Sequence, residues 1–115
     1  MAYKNPEDAR AYRKRWKAAN PDKVKAYQRK QHLKRIYGIA PEDYDRMLEK
    51  QDGKCAICRT TKQKGGRFER FCVDHDHSTG AVRDLLCYDC NFALGKFNDN
   101  IGNLEAAIHY LKSNG

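Results

Sequence analysis

The 115-residue chain sets 23 Lys/Arg against 15 Asp/Glu for a formal net charge of +8, and its length allows one domain with a modest core. It holds no apolar run near the ~18 residues that cross a bilayer, and Met1 leads into polar sequence without a signal-peptide h-region, so the expected location is intracellular and cytoplasmic, with no membrane partner. The charge is uneven: residues 1–39 carry 12 Lys/Arg and 3 Asp/Glu, a balance of +9, while residues 40–115 carry 11 and 12, a balance of −1. An excess confined to the first third points to a polyanion, nucleic acid before membrane, against the plainer alternative of a solvated basic helical face.

The first third repeats itself at a period of fifteen. Asn5-Pro6-Glu7 is followed by Ala11-Tyr12, and Asn20-Pro21-Asp22 by Ala26-Tyr27 at the same offset. Asn suits the N-cap, Pro the first helical position, and an acidic residue the positive end of the helix dipole. Two helices follow, about Pro6–Ala19 and Pro21–Tyr37, with Gly38 as the stop. Their apolar stripes are thin, Ala9, Tyr12 and Trp16 on one and Val24 and Tyr27 on the other. A third helix is predicted over Pro41–Lys50 from the Tyr44, Met47, Leu48 spacing, ended by a turn at Gln51-Asp52-Gly53. Arg59–Arg67 reads as a loop, Phe68–Asp74 and Ala81–Leu86 as strands joined by a turn at Asp76–Gly80. A helix should start after Cys87–Cys90, run through Asn91 to about Leu94 and stop at Gly95, and a last helix is predicted near Asn103–Lys112. The element order makes a small α+β chain, divided into a basic helical extension (1–38) and a cysteine-bearing domain (39–115).

Cys55-x-x-Cys58 and Cys87-x-x-Cys90 stand 28 residues apart. Each pair can wrap one side of a tetrahedral ion, and four thiolates close its coordination sphere. A zinc ion held this way has no open position, so it is structural and any catalysis lies elsewhere. The alternative is a redox dithiol or reduced core cysteines, which would not call for two pairs. Cys72 is left over as a small apolar strand residue.

Between the knuckles runs Val73-Asp74-His75-Asp76-His77-Ser78-Thr79-Gly80. Metal-dependent phosphodiester hydrolysis needs a hard cation on the phosphate, oxygen ligands for it, and a base that titrates near neutrality. Asp supplies the ligand and His the base. Neighbouring strand residues point to opposite faces, so Asp74 and His75 can flank one cation only where the chain bends. A second metal staple or a solvated polar turn would account for the same run. Asn91, directly after Cys90, can present an amide oxygen to the hairpin, or simply cap the helix.

Taken together, Tyr44-x-x-Met47-Leu48, Gln51-x-Gly53-x-Cys55-x-x-Cys58, Val73-Asp74-His75-Asp76-His77-x-Thr79-Gly80, Val82-Arg83-x-Leu85-Leu86-Cys87-x-x-Cys90-Asn91 and Leu94-Gly95 resemble the phage recombination endonuclease VII family, a branch of the HNH nucleases, over about residues 40–113. The resemblance implies a ββα-metal (HNH, His-Me finger) core: a β-hairpin and helix around a catalytic Mg²⁺ or Mn²⁺, beside a zinc on Cys55, Cys58, Cys87 and Cys90. It implies metal binding by Asp74 and Asn91, a general base at His75, and a second histidine, His77, that binds the metal, touches phosphate or orients a neighbour. Asp84 departs from the pattern, since relatives often carry Gly there.

DNA is the implied partner. Arg10, Arg13, Lys14, Lys17, Lys25, Arg29, Lys34 and Arg35 would contact phosphates, which gives affinity without sequence information, and Arg83 would clamp a phosphate near the chemistry. Tyr12, Trp16 and Tyr27 are expected to pack in a small core rather than stack on bases. Two readings compete: a weakly sequence-specific endonuclease that hydrolyses plain or branched DNA, and a non-catalytic zinc-ribbon DNA-binding protein. A zinc module that binds protein is a third. The sequence leaves monomer or homodimer open.

Overall fold

A computed structural model of the chain describes residues 5–62 and 70–115. Its elements are α1 (Pro6–Ala19), α2 (Pro21–Tyr37), α3 (Pro41–Lys50), β1 (Cys72–His75), β2 (Val82–Leu86), α4 (Tyr88–Lys96) and α5 (Ile101–Asn114). The chain is a small α+β protein whose contacts group it into two units, Met1–Asp43 and Tyr44–Gly115.

In the first unit the predicted helices have the predicted bounds, because their signals are local. Asn5 caps α1 with its side chain, which accepts the Asp8 N–H at 2.9 Å. Asn20 departs from the repeat. Its side chain makes no cap bond to α2 and instead donates to the Trp16 carbonyl at 2.8 Å, closing the end of α1. Gly38 stops α2 at φ 71°, a left-handed conformation that glycine takes without a Cβ penalty. The small core expected of the aromatic stripe does not form. Tyr12, Trp16 and Tyr27 are 47%, 41% and 65% exposed, because two thin stripes enclose too little volume to cover side chains of this size.

The second unit is built round a two-stranded antiparallel sheet. Among the described residues, Tyr44, Cys55, Phe71, Val73, Leu85, Leu86 and Cys87 are its buried apolar ones. Leu85 is wholly enclosed, and burying a leucine contributes about 1.5–3 kcal/mol. The Tyr44 hydroxyl donates to the Phe71 carbonyl at 2.7 Å, tying the helix side chain to the entry of β1. Gln51, also buried, treats β2 as a strand would: its amide nitrogen donates to the Leu85 carbonyl and its oxygen accepts the Leu85 N–H, both at 2.9 Å.

Several boundaries differ from expectation: β2 starts at Val82 rather than Ala81, and α4 at Tyr88, within the knuckle rather than after it. Phe68, at the start of the first expected strand, lies outside the described residues, as does much of the expected loop, and β1 occupies only Cys72–His75. Helix α4 runs through Gly95 to Lys96. Its end is a Schellman closure, Asn98 N–H to the Gly95 carbonyl and Asp99 N–H to the Leu94 carbonyl, both 3.0 Å, with Asn98 in the left-handed place that Gly95 was expected to serve. Helix α5 starts two residues early because the Asn100 side chain caps it, accepting the Asn103 N–H at 2.9 Å.

Candidate functional site

Cys55 and Cys58 sit in a tight knuckle, while Cys87 is the N-cap of α4 and Cys90 lies in its first turn. The helix dipole favours negative charge at that end. The four sulfurs lie within 4.8 Å of one another, and the Cys58 and Cys87 Sγ atoms are 3.7 Å apart. A zinc ion with bonds of about 2.3 Å calls for tetrahedral edges of about 3.8 Å, so this donor set fits it in chemistry and size. Burial opposes ionisation of Cys55, yet hydrogen bonds from the Cys87, Cys58 and Ile57 backbone outweigh it and bring the thiol down to about 6. Burial and the neighbouring thiols push Cys87 and Cys90 up. The knuckle is tied to the hairpin by the Ala56 N–H, which donates to the Leu85 carbonyl at 3.1 Å.

The hairpin is irregular where the chemistry-bearing residues lie. Val73 pairs with Leu85, but His75 pairs with Val82, so β2 carries one residue more than β1 across that step. Such a bulge bends the strand and re-aims side chains. It leaves Arg83 and Asp84 exposed.

Arg83 turns onto the buried Asp74. Its Nε donates to Asp74 Oδ2 at 2.6 Å and its Nη2 to Oδ1 at 3.0 Å, a charged fork on both oxygens. The same Nη2 reaches the His75 carbonyl at 3.2 Å and Asp99 Oδ2 at 3.1 Å. The bond to Asp74, opposed by burial and helped by Asp99, pushes the Arg83 pKa up and keeps it a cation. The rings of His75 and His77 lie 4.4 Å apart at 60°, His75 half-buried and His77 exposed.

Asp76 is spent on the turn. Its Oδ1 accepts the Ser78 N–H at 2.8 Å and the Thr79 N–H at 3.3 Å, and these bonds lower its pKa. Its own N–H and carbonyl pair with the Ala81 carbonyl and the Gly80 N–H, with Gly80 at φ 78°. Asn91 lies half-buried in α4, four residues past the Cys87 N-cap, so the capping role open to it in the sequence does not apply. Helix α4 packs against both strands, which sets its thiol-bearing start beside the hairpin.

Of the basic residues proposed for phosphate, Arg10, Arg13, Lys14 and Lys17 are exposed on α1, as are Lys25, Lys34 and Arg35 on α2, while Arg29 is half-buried. Among the described residues no helix is long and apolar enough to cross a membrane. The sequence marks Asp99 by nothing local, and it placed Gln51 in a turn and in the family-resembling run without a bonding role.

Residues 30–113 match the recombination endonuclease VII family. The "Gene 59 protein" of Mycobacterium phage D29 is 47% identical over 77 residues, 66% of this chain and 45% of that protein. The "Gene 59 protein" of Mycobacterium phage L5 is 45% identical over 76 residues, 65% of this chain and 44% of that protein. The chain thus spans less than half the length of these curated relatives. No solved structure matches it.

Proposed function

The chain belongs to the recombination endonuclease VII family, and from that premise we propose that it is a metal-dependent DNA endonuclease of the HNH, or ββα-metal, type. The observation that carries this reading is the juxtaposition at the bulge: a buried carboxylate, Asp74, and a half-buried imidazole, His75, on a hairpin packed against the helix that bears Asn91. Asp74 and Asn91 offer the oxygen donors a hard cation takes, a carboxylate and an amide. They would hold Mg²⁺ or Mn²⁺, which when bound supplies positive charge against the scissile phosphate.

His75 takes the proton of the attacking water on an imidazole nitrogen, the part of a general base. His77, its ring 4.4 Å away, bounds the same space and keeps a second imidazole at the phosphate. Arg83 orients the Asp74 carboxylate from one side. The four thiols hold a structural zinc that fixes the start of α4, and with it Asn91, against the hairpin. The basic residues of 1–38 supply phosphate affinity to the catalytic domain, 39–115. Its setting is then the cytoplasm of a phage-infected host cell.

Cleavage of supercoiled plasmid in Mg²⁺ or Mn²⁺, wild type beside His75→Ala at matched zinc content, tests the assignment. Removing the base is expected to slow cleavage roughly 10²–10⁴-fold while DNA binding persists. Equal cutting by the variant removes His75 from the role. No cutting of plasmid or of a synthetic four-way junction by either protein leaves a zinc-ribbon DNA binder in place of the enzyme.

A further inference from the structure

Given the reading of Asp74 as the cation-holding carboxylate, we propose that Asp99 is a positioning residue for it, acting through Arg83. The contacts form a chain. Arg83 meets Asp74 with Nε and Nη2, and that same Nη2 meets Asp99 at 3.1 Å. A guanidinium bonded to one carboxylate can swing together with it. A second carboxylate on another element fixes the plane of the fork, and so the edge of Asp74 that remains for a cation.

Asp99 stands where such an anchor is useful. The thiols tie the start of α4 to the knuckle, and Asp99, just beyond the end of α4, ties that end to β2 through Arg83. The helix that carries Asn91 is therefore held at both ends to the hairpin whose first strand carries Asp74. The backbone is bent to put Asp99 there. Asn98 at φ 52° already provides the left-handed residue that the Schellman closure needs, yet Asp99 is left-handed as well, at φ 53°. A second such residue in a row, without glycine, is uncommon and adds nothing to the cap. It does bring the carboxylate to the guanidinium.

An exposed ion pair adds little to stability, so a positioning role can be told from a merely structural one. Full-length, zinc-loaded Asp99→Asn is expected to keep its melting temperature and zinc content. By ¹⁵N NMR the wild-type Arg83 Nε–H should be shifted downfield and slow to exchange, as its 2.6 Å bond to Asp74 demands. In Asp99→Asn that signal should move toward that of a solvated arginine. Mn²⁺ affinity, read from paramagnetic broadening at His75, should fall about tenfold, as should affinity judged by the Mg²⁺ concentration for half-maximal cleavage. In an Arg83→Ala background the Asp99 substitution should have no further effect. An unmoved Arg83 signal with unchanged Mn²⁺ affinity overturns the inference even in an active nuclease. A tenfold loss of Mn²⁺ affinity in a protein that cuts no DNA keeps it and overturns the nuclease reading instead. A wild type that binds no Mn²⁺ overturns both.

Discussion

The two units of the chain reach order by different means. In the first, α1 encloses no side chain and α2 only Leu33; Asn5 caps the start of α1 and Gly38 closes the end of α2. In the second, Leu85, Cys55 and Cys87 are wholly enclosed, and Gln51, Tyr44 and Arg83 bond to residues that are 34, 27 and 9 positions away in the chain. The first unit displays charge on a scaffold that needs no core. The second holds a few ionisable groups at fixed distances, which only cross-links between remote segments can do.

Removing the staple should break the contrast most completely. Structural zinc in small domains contributes about 10–16 kcal/mol of apparent binding energy that is also folding energy. Chelation, or Cys87→Ser, is expected to abolish the near-UV signal and NMR dispersion of residues 44–115 while the circular-dichroism helicity of α1 and α2 survives. Retained dispersion in the metal-free protein would show that hydrophobic packing suffices without the ion.

Deleting residues 1–38 tests the other side. The zinc content and the hairpin should be unaffected. Affinity for duplex DNA should drop, and the slope of log K against log salt should flatten by roughly 0.9 for each phosphate that the shortened chain no longer neutralises. An unchanged slope would take the basic helices out of DNA binding.

The smallest effects sharpen the comparison at single residues. Gln51→Ala leaves the Leu85 N–H buried without its acceptor, a loss of about 1–3 kcal/mol that a denaturant titration can read. Tyr27→Ala, at a position 65% exposed, should stay within about 0.5 kcal/mol. Equal losses at both sites would mean that the first unit has a core after all.

Legibility in the sequence followed the range of the interaction. The bounds of α1, α2 and α3 could be read because Asn5, Pro6, Pro21, Gly38 and the Tyr44 stripe act within a turn or two of themselves. The four thiols could be read because the C-x-x-C spacing is local, and tetrahedral geometry demands two pairs. Gly95 misled because glycine is a common helix stop, but Asn98 tolerates the left-handed conformation and took the position three residues later. The expected aromatic core of the first unit failed because a shared stripe does not guarantee enough surrounding volume.

By itself, then, the sequence determined the helices with strong caps, the sulfur cluster, the concentration of positive charge in residues 1–39 and the Asp-His run that carries the family resemblance. The tertiary structure alone decided that the extra residue in β2 brings Arg83 onto Asp74, that Gln51 pairs with Leu85, and that Asp99 shares the guanidinium. Caps and spacings are fixed by bonds within a few residues, whereas strand register and side-chain pairing depend on segments that meet only when the chain closes on itself.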